Sequence, residues 1–210
     1  MDTIDSILII NLEHRTDRMG RCMNWLKESG VPDEKIKRVD ATYIPGRGHI
    51  GCIASHIRAL ELFLQSSGKY TLIIEDDFEP TDIPSFWSNF TKLFNSGISF
   101  DAVCASYNVE KVEETPSEAP FLRRLRETFT TSSYVVSHEY AKTMHRCFLE
   151  AFYLAQFEES TTRQKTHQYT LDVYWHTLMK ADTWYCFYPR IGYQVESYSD
   201  IQGHVTNYGV

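Results

Sequence analysis

Residues 70–77, Tyr-Thr-Leu-Ile-Ile-Glu-Asp-Asp, constrain the fold more than any other stretch of the chain. Leu72, Ile73 and Ile74 form an unbroken apolar run of strand length. Neither face of such a strand can look onto water, which is the pattern of a parallel sheet covered by helices on both sides. A second run of this kind, Ser-Ile-Leu-Ile-Ile-Asn-Leu, occupies 6–12. Between the two runs the periodicity changes. Met19, Cys22, Met23 and Leu26 recur at helical spacing over 15–29, and Gly30 is placed to end that helix in a left-handed turn. Residues 35–40 read as a short strand, 46–51 with three glycines as a mobile loop, and 55–65 as a helix carrying Ile57, Leu60, Leu62 and Leu64. The order β-α-β-α-β predicts an α/β fold, with a mostly parallel, Rossmann-like central sheet flanked by helices and joined by right-handed crossovers.

Further along, 83–94 reads as an aromatic-rich helix and 100–105 as a fourth strand that completes the core sheet. Residues 109–120 hold four glutamates and two prolines with almost no large apolar side chain, so a solvated loop is expected there. A strand at 131–137, a long helix at 138–157, a polar stretch at 158–168, a helix at 170–180, a strand at 184–188 and an irregular tail follow. A chain of 210 residues that is 42% hydrophobic is most simply one domain.

Charge and cysteine usage exclude several classes. The net charge is −7 and the 21 lysines and arginines are scattered, which argues against a nucleic-acid partner. An anionic ligand then needs a metal or local arginines. The five cysteines, Cys22, Cys52, Cys104, Cys147 and Cys186, lie far apart with no Cys-x-x-Cys pair, so neither a disulfide framework nor a zinc site is suggested. The acidic start Met-Asp-Thr-Ile-Asp is unlike a signal peptide, and no apolar run approaches the roughly 20 residues of a membrane span, so a cytoplasmic location is expected.

Chemistry concentrates at four places. Glu75, Asp76 and Asp77 sit at the carboxyl end of a strand, where ligands of such sheets bind. Three adjacent acids raise one another's pKa unless a cation neutralises them, and their oxygens suit Mg²⁺ or Mn²⁺. An acidic surface turn is the alternative. Arg15 and Arg18 follow the first strand at the opening of a helix, where they could reach phosphates, or remain solvated. No Gly-x-Gly-x-x-Gly or Walker pattern accompanies them, which argues against dinucleotide and P-loop enzymes. His56, in Gly51-Cys52-Ile53-Ala54-Ser55-His56, is at the start of a helix, where a structural role is commoner than a ligand role. The polar segments 188–194 and 199–204 end in His204, which could complete the coordination of a metal held by Asp77 if the tail folds back over the sheet.

Taken in order, Asn11-Leu12 with Arg15 and Asp17-Arg18, then Gly51-Cys52 with Ser55-His56, then Glu75-Asp76-Asp77, then Tyr134-Val135-Val136-Ser137, and finally Pro189, Gln194 and Ser199-Asp200-Ile201 resemble glycosyltransferase family 25, the lipopolysaccharide-type and collagen-type sugar transferases. The resemblance covers nearly the whole chain. It implies the GT-A fold, with a nucleotide-binding half at about 1–105 and a smaller acceptor-binding half at about 106–210. It also implies inverting transfer from a nucleotide sugar, with a UDP-sugar favoured, to a hydroxyl of a glycan or glycoprotein. The outer acid of the Asp-x-Asp metal motif is here Glu75, as is usual for that family. The chain is short for an enzyme with an elaborate acceptor site and could be one module of a longer protein.

On this reading Asp77 and His204 hold Mn²⁺ or Mg²⁺, while Glu75 and Asp76 hold the ribose and metal-bound waters. Asn11, Arg15, Arg18 and Asp40 bind the nucleotide. Asp172, heading a helix beside Tyr174 and Trp175, is the candidate base that takes the acceptor's proton, with a dipole-stabilising helix acid as its alternative. A metal-dependent phosphohydrolase and a non-catalytic sugar-nucleotide-binding module are the rival classes.

Overall fold

The computed structural model describes residues 3–113, 118–162, 167–201, 203–207 and 209. Strand β1 (Ser6–Asn11) leads into helix α1 (Thr16–Glu28), and β2 (Ile36–Asp40) into α2 (Gly48–Leu64). Strand β3 (Tyr70–Glu75), the short β4 (Phe78–Pro80), α3 (Ile83–Asn95) and β5 (Ala102–Cys104) follow. The second half contains β6 (Asn108–Glu113), β7 (Leu122–Phe129), β8 (Ser133–Ser137), the long α4 (His138–Thr162), and two short helices, α5 (Leu171–Tyr174) and α6 (His176–Ala181). It ends with β9 (Trp184–Phe187), β10 (Gly192–Gln194), β11 (Ser197–Ser199) and β12 (His204–Thr206).

Eight strands form one mixed sheet in the order β2-β1-β3-β8-β5-β9-β7-β6. Strands β2, β1 and β3 are parallel, as the apolar runs predict, and so are β5 and β9. Strand β8 runs antiparallel between β3 and β5, so the sheet is not complete at the fourth strand. Alternate residues feed two cores. Leu8, Ile10, Ile73, Tyr134, Val136 and Trp184 face α2, α4, α5 and α6, while Ile7, Ile9, Leu72, Ile74, Val135 and Phe187 face α1 and α3. This period-two division of continuous apolar strands is why one run supplies both sides of the sheet.

Two loop expectations are corrected. Gly46 takes a left-handed φ of 72°, but Gly48 and Gly51 already lie in α2. A Cβ on Gly51 would meet the Thr42 carbonyl oxygen at 2.3 Å, so glycine serves close backbone approach there rather than mobility. The acidic 109–120 stretch begins as edge strand β6, whose described ion pairs are Lys111 to Glu127 and Glu113 to Arg126, each at 3.0 Å. Charged cross-strand pairs stabilise an exposed edge without an apolar face, which hid the strand from periodicity. Residues 114–117 of that expected loop lie outside the described residues. The helix expected at 170–180 is divided at Trp175, and the tail expected to be irregular carries β10 to β12, with β10 pairing to β4. At Gly30 the expectation holds: φ is 69°, and its amide donates to the Lys27 carbonyl while that of Val31 donates to Leu26.

Candidate active site

The strand order turns back between β1 and β3, and the carboxyl ends of these parallel strands open onto a cleft of about 460 Å³. Such a crevice is where α/β sheets bind ligands, and its size is that of a small-molecule site. Arg18, Glu75, Asp76, Asp77 and Asp172 all line it.

The three acids point into different surroundings. Asp76 and Asp77 are both more than nine-tenths buried, as is Arg18. Arg18 Nη1 donates to Asp76 Oδ1 at 2.9 Å and Asp77 Oδ2 at 3.1 Å, and Nη2 donates to Ser197 Oγ at 2.6 Å and the Tyr198 carbonyl at 2.8 Å. Asn11 Nδ2 donates to Asp76 Oδ2 at 2.7 Å, and Gln194 Nε2 to Asp77 Oδ1 at 3.2 Å. Glu75 Oε1 accepts from Thr131 Oγ1 at 2.6 Å and lies 3.1 Å from His56 Nε2. Burial and then the charge of Glu75 push Asp77 up to about 7. Burial also raises Asp76, against the pull of Arg18. Burial opposes the charge on Glu75 as well, but the His56 and Thr131 contacts and the neighbouring positive charge hold its pKa below the ordinary value. Among the described residues, three carboxylates against one guanidinium leave an excess of negative charge. A set of hard oxygen donors in that state fits a divalent cation such as Mn²⁺ or Mg²⁺.

A line of polar contacts joins this cluster to Asp172. Thr130 Oγ1 donates to Gln194 Oε1, and the Thr130 amide approaches Asp172 Oδ2 at 3.4 Å. Thr130 has φ of 68°, a left-handed conformation that is rare for a β-branched residue and concentrates at functional sites.

The other sequence candidates are placed differently. Asn11 is buried at the end of β1, where it orients Asp76 and also accepts from Arg38 Nε at 2.9 Å. Arg15 Nη1 donates to Asp200 Oδ2 at 2.8 Å and the Tyr198 carbonyl at 3.0 Å, tying the C-terminal segment to α1. Asp40 is exposed and pairs with Arg38, away from the cleft wall. His204 is exposed on β12, opposite Ser199 in register, and does not line the cleft. Sequence reading gave no individual role to Gln194, Thr130 or Thr131. Gln194 and Thr131 act only through neighbours remote in sequence, and no local pattern announces the φ of Thr130.

No protein-family model matches the chain. Among curated proteins, a "Glycosyltransferase 25 family member" of Drosophila pseudoobscura pseudoobscura is 28% identical over 164 residues, 64% of this chain and 26% of that protein. Procollagen galactosyltransferase 2 of Homo sapiens is 24% identical over 169 residues, 67% of this chain and 27% of its own length. The matched part thus spans about a quarter of these curated relatives. Among solved structures, A197 from STIV superposes with a TM-score of 0.53 at 14% identity, covering 96% of this chain and 92% of that one. Mannose-1-phosphate geranyltransferase from Thermus thermophilus gives 0.51 at 8% identity, over 88% and 73%. In fold the chain is an α/β structure of the GT-A type, and in sequence it is similar to members of glycosyltransferase family 25.

Proposed function

We propose that the cleft is the active site of a metal-dependent glycosyltransferase, which moves a hexose or deoxyhexose from a UDP-sugar to a hydroxyl of a glycan or glycoprotein with inversion. The observation that carries this reading is the convergence of Glu75, Asp76, Asp77 and Arg18 with Asp172 in one cleft at the carboxyl ends of the parallel strands. The curated relatives, by name a family 25 member and a galactosyltransferase, support the reaction class and the sugar type.

Asp77 and Glu75 are the residues best placed to hold Mn²⁺ or Mg²⁺, because their carboxylates border the cleft and together carry the charge that Arg18 leaves unmatched. When bound, the cation supplies electrostatic stabilisation of the departing diphosphate. Arg18 Nε is a buried donor with no acceptor among the described residues. Asp172 takes the proton of the acceptor hydroxyl as that oxygen attacks the anomeric carbon from the face opposite the diphosphate. Asn11 fixes Asp76 from below, and Thr130 and Gln194 hold the spacing between the acids and the base. Apolar wall residues such as Tyr43, Ile44 and Val173 provide surfaces on which a sugar face can pack. His204 enters this scheme only if the C-terminal hairpin shifts towards Asp77.

Calorimetric titration of UDP, UDP-glucose and UDP-galactose, with and without Mn²⁺, tests the reading in the wild type and in Asp77→Ala. Manganese-dependent UDP binding that disappears in the variant is the expected result. Absence of binding under every condition, or phosphate release from simple phosphoesters, would replace it with the hydrolase.

A further inference from the structure

Cys52 and His56 stand one helical turn apart on α2, and Glu75 ends the neighbouring β3. The Cys52 Sγ, a His56 ring nitrogen and a Glu75 carboxylate oxygen all lie within 4.8 Å of one another. Among the described residues this is the one grouping of three such ligands. We propose that Cys52, His56 and Glu75 form a binding site for a thiophilic divalent cation of the zinc class, with the fourth coordination position open to the cleft that all three residues line.

The geometry needs little adjustment. Tetrahedral bonds of about 2.0–2.3 Å place ligand atoms roughly 3.3–3.8 Å apart, so a contraction of about an ångström from the widest separation suffices. The His56 ring is fully buried, stacked on Tyr134 with centroids 5.8 Å apart, and its Nδ1 is 2.9 Å from the Tyr134 hydroxyl. When Nδ1–H donates to that hydroxyl, Nε2 presents a lone pair towards Glu75, the orientation that an outer partner usually imposes on a ligating imidazole. Thr131 Oγ1 donates to Glu75 Oε1, the same oxygen that faces His56, and the contact of Gly51 with Thr42 fixes the turn of α2 that carries Cys52. The donor set also sets the choice of ion. One sulfur and one imidazole favour Zn²⁺ or Co²⁺ over Mg²⁺, whereas the all-oxygen pair Asp77 and Glu75 has the opposite preference, so Glu75 is the ligand the two classes of cation share.

Binding exchanges the Cys52 proton for the metal: the S–H bond breaks, a sulfur–metal bond forms, and the proton leaves to solvent. Because ligation releases that proton, metal binding is coupled to deprotonation of the thiol. Occupancy would engage Glu75, and zinc would therefore oppose whatever the cleft does with that carboxylate.

The test uses the whole chain without nucleotide, so its outcome is independent of the transferase reading. Titration with Co²⁺ should saturate at one equivalent, with a near-ultraviolet thiolate-to-cobalt band that Zn²⁺ abolishes and excess Mg²⁺ leaves. Cys52→Ser should lose the band, and Asp77→Asn should keep it. A second measurement on the wild type guards against a misfolded variant: Zn²⁺ should slow alkylation of Cys52 by at least about tenfold, with the modified peptide quantified by mass spectrometry. A wild type without the thiolate band, a band that survives in folded Cys52→Ser, or alkylation of Cys52 unaffected by Zn²⁺ would each overturn the site.

Discussion

Replacing Arg18 with Met removes the one guanidinium among the described residues that touches both Asp76 and Asp77, and the consequence can be worked out from the contacts. The change deletes two charge-assisted bonds to buried carboxylates and two bonds to the 197–198 segment. The latter pair is only part-buried, and water replaces it at small cost. The two carboxylates remain buried, and breaking such a pair from one side costs about 3–5 kcal/mol. For a domain of this size each kcal/mol lowers Tm by roughly 2–4 °C, so the variant should melt roughly 6–20 °C below the wild type near pH 8. The deficit should shrink at acid pH. Both acids already have raised folded pKa values, and losing Arg18 raises them further, so protonation removes the stranded charge. A group whose folded pKa is raised has its stabilising contribution intact below the unfolded value and loses it as pH rises through the folded one. Circular-dichroism melts of both proteins near pH 5.5 and pH 8 measure the effect. Equal deficits at the two pH values, or a loss below about 2 °C near pH 8, would refute the view that Arg18 is the counter-charge of the acid cluster.

Asp172→Asn should lower transfer by roughly 10²–10⁴-fold while leaving UDP affinity nearly unchanged; retained turnover in a coupled UDP-release assay would remove Asp172 from the base role. Asp77, pushed up to about 7 from its ordinary 3.8, favours the folded state below about pH 4 and loses that contribution as pH rises through about 7. The metal-free protein should therefore melt lower near pH 8 than near pH 6, and Asp77→Asn should flatten that slope; a slope unchanged in the variant would assign it to another group. Gly51→Ala should destabilise by about 1–3 kcal/mol in chemical denaturation, because its Cβ has no room beside the Thr42 carbonyl. A neutral result would show that α2 can shift.

Strands β1 and β3 of the parallel part were legible because they are buried on both faces, and Ile7–Ile10 and Leu72–Ile74 have no polar alternation to mislead. The acids at the end of β3 were legible for a related reason: an apolar strand that delivers carboxylates announces a site. Strand β7 was not legible, since Leu122, Leu125 and Thr128 are its buried positions and recur every three residues, closer to a helical period than to alternation. The antiparallel insertion of β8 was hidden too, because a strand buried on both faces reads the same in either direction. In the site, Arg18 and Asp172 were recognisable from their places at helix starts. The Gln194 and Thr130 link joins residues 64 positions apart in sequence, and no local spacing encodes it.

The place of β8 also governs the order in which the molecule can assemble. Strands β3 and β5, though close in the chain, never pair; each hydrogen-bonds to a strand that emerges some 30 to 60 residues later. Until residue 137 is available, the acid-bearing strand has an open edge, long and apolar, of the kind that recruits other chains. During synthesis that edge stays exposed for the time needed to add those residues, a matter of seconds at ribosomal rates. Aggregation pressure on the nascent chain is therefore greatest at the strand that also carries its chemistry, and amide exchange of β3 should report closure by β8 rather than the earlier pairing with β1.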